Sequence, residues 1–160
     1  MSYIQKSLGG GETIVTYAQF PKIYFLAAWL ALLIPFLLFI AALVQGDGQI
    51  DPFTIGTGVL FLFGLILFLK MMIRQWSTEI GVTSHRFVEK YGLLSLRTNE
   101  IALPNIEGVR MTQSMLGRIF NYGTVRIEGT GVDSVTTPAI SDPVGFVRAI
   151  QTAKELMIRR

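Results

Sequence analysis

Apolar residues are concentrated in two long runs in the first half of the chain. Residues 23–44 form 22 uncharged positions, and residues 53–69 form 17 more that Met71, Met72 and Ile73 extend. At about 1.5 Å per residue, a helix over the first run covers roughly 33 Å, enough to cross a hydrocarbon core of about 30 Å. The pattern therefore predicts two transmembrane helices, at 23–44 and 53–73.

The connection between the two runs is short. Residues 45–52 include two glycines and a proline, which favours a tight turn and an antiparallel helical hairpin. The connection carries no Lys or Arg, whereas Lys6 and Lys22 precede the first run and Lys70 and Arg74 close the second. Because basic residues stay on the cytoplasmic side, both termini are expected in the cytoplasm of a multi-pass inner-membrane protein.

A cleaved signal peptide is the alternative interpretation of the first run. Such a peptide has basic residues at its start, a shorter apolar stretch and a small-residue cleavage site. Here about twenty residues of mixed character come first, and no such site follows Val44. A membrane helix is therefore preferred. Within the hairpin, Ala27, Ala31, Gly56 and Gly64 are small enough to allow close packing of the two helices.

From Trp76 onward the pattern changes to alternating polar and apolar positions. This period of two predicts short strands in an antiparallel sheet or partial barrel. Residues 114–122 break the alternation, and Leu116, Ile119 and Phe120 fit one turn of helix. The six predicted strands cover residues 76–82, 86–91, 96–103, 106–112, 123–129 and 135–139.

The chain closes with an amphipathic helix. Asp142 is suited to the N-cap and Pro143 to the first helical position. Beyond them, apolar side chains recur at helical spacing on one face, which predicts a helix that covers the sheet. Residues 74–160 are thus expected to form a cytoplasmic α+β domain in which a bent antiparallel sheet is capped by this helix.

Residues 1–22 precede the first membrane helix. Within them, residues 13–17 are rich in β-branched and aromatic side chains, which favour strands. Because both ends of the hairpin lie on the same side, this stretch is predicted to join the cytoplasmic domain as an edge strand. A disordered leader with a short interfacial stretch is the competing interpretation.

Charge and composition exclude several classes of function. The net charge is +3, and no basic run exceeds Arg159–Arg160, which argues against nucleic-acid binding. The chain has no cysteine, so disulfides and thiolate metal sites are excluded. His85 is the single histidine and has no catalytic or metal-ligating partner at motif spacing. We therefore expect no enzyme activity, no metal and no cofactor.

Basic side chains suggest contact with the bilayer. Residues 70–160 contain twelve Lys or Arg and eight Asp or Glu. Lys70, Arg74 and Arg118 are the candidates for facing the anionic inner leaflet, where each basic group contributes about 1 kcal/mol. Such residues either orient the domain or form a site for lipid headgroups.

Three segments carry a resemblance to a known family. Residues 83–95 (TSHRFVEKYGLLS), 100–131 and 146–150 (FVRAI) resemble the bacterial pleckstrin-homology-like (PH-like) family, formerly a domain of unknown function. The order of these elements and the preceding hairpin match as well. The resemblance implies a seven-stranded bent sheet capped by a C-terminal helix, and residues 13–17 would supply the seventh strand.

The resemblance leaves the task of the domain open, because one fold hosts many functions. The first hypothesis is a non-enzymatic scaffold whose partner is another copy of the chain or another membrane protein. Leu116, Ile119 and Phe120 are then the candidate interaction surface. The alternative is a module that senses phospholipid headgroups through its basic face.

Overall fold

A computed structural model describes residues 2–46, 50–92, 95–131 and 134–159. The chain forms two compact units. One unit is helical and comprises Lys22–Gln75, and the other combines Met1–Pro21 with Trp76–Arg160. The helical unit is therefore inserted, in sequence, into the second unit.

The helical unit contains the two helices that the apolar runs predict. Helix α2 covers Lys22–Gln45 and helix α3 covers Pro52–Ser77. Both are long and apolar enough to cross a membrane, judged by length and composition. Residues 47–49 of the predicted turn lie outside the described residues. The strand predicted from Trp76 was placed too early, because Trp76 and Ser77 continue the helix and strand structure begins at Glu79.

Small residues bring the two helices together at one point. A Cβ atom on Gly64 would collide with the carbonyl oxygen of Ala31, so the helix backbones nearly touch there. Around Gly56 there is open space, and Ala27 is exposed while Ala28 is buried. The predicted close packing is therefore confirmed for Ala31 and Gly64 and wrong for Ala27 and Gly56.

The second unit consists of two antiparallel sheets with a C-terminal helix. The first sheet has the order β1-β2-β3-β4; the second has the order β5-β6-β7, and β8 pairs with β6. The strands are β1 Ile14–Tyr17, β2 Glu79–Thr83, β3 Arg86–Tyr91, β4 Arg97–Ala102, β5 Ile106–Thr112, β6 Tyr122–Gly129, β7 Ser134–Thr136 and β8 Ile140–Ser141. The other helices are α1 Tyr3–Lys6, α4 Met115–Ile119 and α5 Pro143–Ile158, and Leu103–Asn105 forms a 3₁₀ turn.

The strand predicted at residues 13–17 is present as β1. It pairs antiparallel with β2, with Thr16 opposite Val82 and Tyr17 opposite Gly81. Val15 is an extra residue in a β-bulge, since the register shifts between Ile14 and Thr16. The pairing joins residues that the whole helical unit separates in sequence.

The last predicted strand, residues 135–139, is shorter than expected, and a further short strand follows it. Strand β7 ends at Thr136 and β8 begins at Ile140. Pro138 lies between them, and proline has no amide hydrogen to continue a ladder. The domain therefore has a short additional strand that the alternation pattern did not reveal.

The hydrophobic core lies between the inner faces of the two sheets and α5. Phe87 from β3, Ile127 from β6 and Phe146 from α5 are all buried within it. The rings of Phe87 and Phe146 meet edge to face, 6.4 Å apart. Asp142 caps α5 as predicted, since its carboxylate accepts a hydrogen bond from the amide of Gly145 at 3.2 Å. The helix thus covers the bent sheets, which do not close into a barrel.

The N-terminal residues pack on the opposite face of the first sheet. Ile4 of α1 is completely buried, and its side chain lies over Gly81. The Glu79 carboxylate accepts hydrogen bonds from the Ser2 hydroxyl at 2.6 Å and the Tyr3 amide at 2.8 Å. Residues 2–6 are therefore part of the domain, although a helix of four residues is too short to be predicted from periodicity.

Candidate interaction surface

Helix α4 interrupts the hairpin between β5 and β6 as a compact excursion. The Ser114 hydroxyl accepts a hydrogen bond from the Gly117 amide at 3.0 Å and so caps the helix. Gly117 is buried so closely against β6 that a Cβ atom would lie 2.5 Å from the Tyr122 carbonyl oxygen. Asn121 then turns the chain back with a φ of 50°. The excursion predicted from the broken alternation is present, and local packing holds it in place.

Large apolar side chains on this excursion point away from the core. The exposed fractions are 83% for Met115, 58% for Leu116, 71% for Ile119 and 53% for Phe120. We call these four residues the α4 cluster. The sequence singled out three of them and missed Met115, whose position four residues before Ile119 places it on the same helix face. An exposed apolar group of this kind is typical of a contact surface.

The three candidate membrane-facing basic residues lie on two different units. Lys70 and Arg74 belong to α3, whereas Arg118 belongs to α4. Among the salt bridges between described residues, none involves Arg118. Its guanidinium therefore accompanies the α4 cluster without a carboxylate partner in the described part of the chain.

The base of the α4 excursion is connected to the segment that leads into α2. Tyr122 pairs with Ser141 of β8, and the Asp142 amide donates to the Asn121 carbonyl at 2.9 Å. The Ser141 amide in turn donates to the Gln19 carbonyl at 2.7 Å. Gln19 precedes the start of α2 at Lys22 by three residues. The base of the α4 excursion is thus hydrogen-bonded, through β8, to the segment that leads into α2.

A second feature is the gap between the two sheets. Among the described residues, β4 pairs only with β3 and β7 pairs only with β6, so each presents an open edge. A cleft of about 300 Å³ lies between these strands, and its lining includes Thr98, Glu100 and Ser134. The cleft is polar and offers unpaired backbone groups rather than an apolar pocket.

A polar network joins the segment before α2 to the β2–β3 turn. The Glu12 carboxylate accepts hydrogen bonds from the Thr83 hydroxyl at 2.6 Å and from Arg86 Nε at 3.1 Å. Burial raises the pKa of the Glu12 carboxyl. However, the hydrogen bonds from the Gly9 amide, Thr83 and Arg86, together with the charge of Arg86, outweigh burial and bring the pKa below its ordinary value. Glu12 is therefore held as a carboxylate and fixes the chain that leads into β1.

One carboxylate faces the interior of the first sheet. Glu89 is opposite Ile80 of β2 and Asn99 of β4, on the core side of the sheet. Burial raises the pKa of its carboxyl, and the hydrogen bond from Asn99 Nδ2 at 3.0 Å offsets this only in part. Glu89 is only 6% exposed, although a glutamate on a strand would ordinarily lie on the solvated face.

The described residues do not assemble a catalytic or metal-binding group. His85 lies exposed in the β2–β3 turn, where its Nδ1 is 2.9 Å from the Ser84 hydroxyl oxygen. That hydroxyl also accepts the amide of Thr13, so it is engaged in holding the turn. No cluster of three or more His, Asp or Glu that would suit a metal ion is found within the described ranges.

Comparison with known families agrees with this architecture. The family model for the bacterial PH domain matches residues 13–152, which is most of the chain. The chain belongs to the bacterial PH domain family. The match starts next to β1, includes both long helices and ends within α5. It confirms the resemblance seen in the sequence, and the two sheets with their C-terminal helix have the arrangement expected for this PH domain.

No similar protein of curated function and no similar solved structure was found. PH-like domains are generally non-catalytic interaction modules, and the long apolar helices fit a membrane-associated form of such a module. The α4 cluster and the β4–β7 gap are therefore the surfaces of this PH domain from which a function can be argued.

Proposed function

We propose that the protein is a membrane-anchored, non-enzymatic scaffold whose PH domain lies at the cytoplasmic face of the inner membrane. Its partner is another copy of the chain or another membrane protein. The open edge of β4 beside the β4–β7 cleft is the observation that carries this proposal. A free strand edge is a template for pairing with a further strand.

The β4 edge suits an added strand in three respects. Arg97–Ala102 offers six residues, about the usual length of a strand. Thr98 and Glu100 are exposed and polar, so the edge stays soluble until a partner covers it. Ile101 is buried in the core and fixes the strand on its inner face. A partner strand would extend the first sheet without disturbing this packing.

The pairing of β1 with β2 supports the proposed anchoring. The two strands flank the helical unit in sequence, and their pairing supports an arrangement in which both ends of that unit lie on the same side of a membrane. Tyr17 is separated from Lys22 by four residues, and Ser77 from Glu79 by one. Extended chain of this length spans less than about 20 Å, which keeps the domain close to the bilayer.

Single cysteines test the proposed topology, because the native chain has none. We expect a membrane-impermeant thiol reagent to label an Ile50→Cys variant in intact cells and to label Ser134→Cys only after permeabilisation. Both positions are exposed in the structure. Labelling of Ser134→Cys without permeabilisation would place the domain outside.

Cysteine crosslinking tests the scaffold. In native membranes, Thr98→Cys or Glu100→Cys should form intermolecular disulfides under mild oxidation, either as a homodimer or as a discrete larger species. Gln151→Cys is the control, since it is also exposed but lies on helix α5 rather than on a strand edge. Equal and low yields at all three positions would show that β4 is not a contact edge.

Phospholipid-headgroup sensing is the alternative function. The observation that favours it is the guanidinium of Arg118, which has no salt bridge to any of the described carboxylates. The crosslinking experiment, repeated in reconstituted vesicles, distinguishes a scaffold from a lipid sensor. A scaffold should give the same yield at Thr98→Cys with and without phosphatidylglycerol. A lipid sensor should change its yield several-fold with the anionic lipid.

A further inference from the structure

We propose that the α4 cluster inserts into the interfacial layer of the membrane, with Arg118 at the level of the anionic phosphates. The occupant of this surface is thus a phospholipid surface rather than a protein. The inference rests on the anchoring part of the proposed function but is independent of pairing at β4.

The first support is the combination of exposure and rigidity. Met115 and Ile119 are the most exposed apolar side chains of the excursion, at 83% and 71%. The cap on Ser114 and the close packing of Gly117 against β6 hold the helix that carries them. A preformed apolar protrusion loses little conformational entropy when it is buried, so its insertion is favoured.

The second support is the distribution of charge. Arg110, Arg118 and Arg126 are close to the cluster in sequence. Glu128 Oε1 lies 3.4 Å from Arg110 Nε and 3.5 Å from Arg126 Nε, so Arg118 is the one of the three without a salt bridge among the described residues. Arg110 and Arg126 lie directly opposite each other on β5 and β6, and Arg118 lies between them in sequence on α4. Apolar side chains edged by arginine match the boundary between lipid tails and anionic headgroups.

The third support is continuity with the membrane anchor. Hydrogen bonds connect the base of the excursion through β8 to Gln19, three residues before α2. If α2 crosses the membrane, its start at Lys22 lies close to the headgroups, and Gln19 is only three residues away. This connection favours lipid as the occupant of the α4 cluster.

The same charges disfavour a second copy as the occupant. In a two-fold symmetric contact, the same patch is used by both subunits. Each Arg118 would then approach its counterpart in an apolar surrounding, and no carboxylate among the described residues forms a salt bridge with it. An anionic lipid surface supplies the missing negative charge without this repulsion.

A fluorescence experiment on the full chain tests the proposal. Ile119→Cys carries an environment-sensitive fluorophore, and the protein is reconstituted into vesicles of phosphatidylethanolamine and phosphatidylglycerol with a quencher on the lipid acyl chains near the headgroup. We expect at least threefold stronger quenching than for the same fluorophore on Glu107→Cys. Met115→Cys provides an independent second probe and should behave like Ile119→Cys.

Arg118→Glu tests the electrostatic part. Reversing this charge opposes the anionic surface by about 2 kcal/mol for a change of two charges. That energy corresponds to roughly a 30-fold shift in the ratio of inserted to free α4. Quenching at Ile119→Cys should therefore fall markedly in this background, and it should also fall in vesicles of phosphatidylcholine alone. Unchanged quenching in both would overturn the role of Arg118.

A probe on Ile66→Cys of α3 distinguishes the two proposals. If the fluorophore at Ile66→Cys is quenched, but the one at Ile119→Cys is quenched no more than the one at Glu107→Cys, the domain is anchored and the proposed insertion of α4 is wrong. If neither Ile66 nor Ile119 is quenched, the anchoring itself is wrong. Protection of Ile119 from both lipid and aqueous quenchers, with energy transfer between labelled copies, would assign the α4 cluster to a protein contact and overturn the inference.

Discussion

Arg86 Nε lies 3.1 Å from Glu12 Oε1, although the two residues are 74 positions apart in sequence. The second guanidinium nitrogen of Arg86 donates to Glu100 at 2.8 Å, and the third to the Ser7 carbonyl at 2.5 Å. One side chain thus connects the segment before α2 with β3 and β4. The domain combines the segment before the helical unit with the segment after it, and this ion pair connects the two segments.

Removal of either partner should destabilise the domain. The Glu12 side chain is 6% exposed and that of Arg86 is 28% exposed, so a lost partner leaves the other charge largely buried. Breaking a buried pair costs about 3–5 kcal/mol, and we expect Glu12→Ala to be near the lower limit because Arg86 retains Glu100. Urea unfolding of the full chain in detergent measures the effect, with the exposed Glu107→Ala as the control.

The same carboxyl predicts a dependence on pH. Because the pKa of Glu12 is lowered by folding, its stabilising contribution is present above its ordinary value of 4.5 and is lost as pH falls through the folded-state pKa. Unfolding curves between pH 7 and pH 3 should therefore converge for the wild type and Glu12→Gln. A difference that stays constant across this range would show that protonation of Glu12 is not involved.

Glu89 should have the opposite effect. Burial raises the pKa of this carboxyl, so the folded state binds a proton more tightly than the unfolded state, and stability falls as pH rises through the interval between the two values. Glu89→Gln keeps an oxygen for Asn99 and removes the charge. We expect it to be more stable than the wild type at pH 7 and to lose that advantage below the ordinary carboxyl range, as measured by thermal unfolding at both pH values. Lower stability of the variant at pH 7 would contradict this.

The two glycines of α3 provide a matched pair of substitutions. A methyl group on Gly64 meets the backbone of Ala31, whereas one on Gly56 meets nothing within 4 Å. Gly64→Ala should cost about 1–3 kcal/mol through overpacking. Gly56→Ala should be neutral or slightly stabilising, because alanine favours helix. Thermal loss of helical circular dichroism in detergent compares them, and equal melting temperatures would refute the packing at Gly64.

Phe120 and Ile127 differ in burial in a way that stability measurements can detect. Phe120 is 53% exposed, so Phe120→Ala should change the free energy of unfolding by less than about 1 kcal/mol. Ile127 is completely buried in the core, and Ile127→Ala should cost about 2–5 kcal/mol. Urea unfolding of the two variants gives the comparison. A large loss for Phe120→Ala would mean that the α4 cluster is part of the core.

The elements that the sequence predicts are those in which polar and apolar residues recur at regular spacing. Strand β6 alternates clearly, and its Val125 and Ile127 are completely buried. The cap at Asp142 and the buried face of α5 follow from local chemistry, and so does the excursion at α4. The β1–β2 pair could also be predicted. Residues 13–17 are rich in β-branched side chains, and the predicted helical hairpin brings the segments before and after it to the same side.

The remaining features depend on contacts that no local pattern encodes. Glu89 faces the core although its side chain is polar, and its hydrogen-bond partner Asn99 comes from the adjacent strand. The pairing of Glu12 with Arg86 requires that two distant segments first meet. Exposure of the α4 cluster likewise depends on what packs beside it. The sequence suggested three of its four residues, Leu116, Ile119 and Phe120, but their exposure is known only from the structure.

The position of the helical unit between β1 and β2 has a consequence for biosynthesis. Strand β1 leaves the ribosome first, but the strand that completes its pairing is made only after both long helices. If only one helix crossed the bilayer, β1 and β2 would be on opposite sides and the edge of β2 would stay uncovered. If both long helices span a membrane, as proposed, completion of the sheet depends on the insertion of both, and a chain with only one inserted would leave a strand edge exposed.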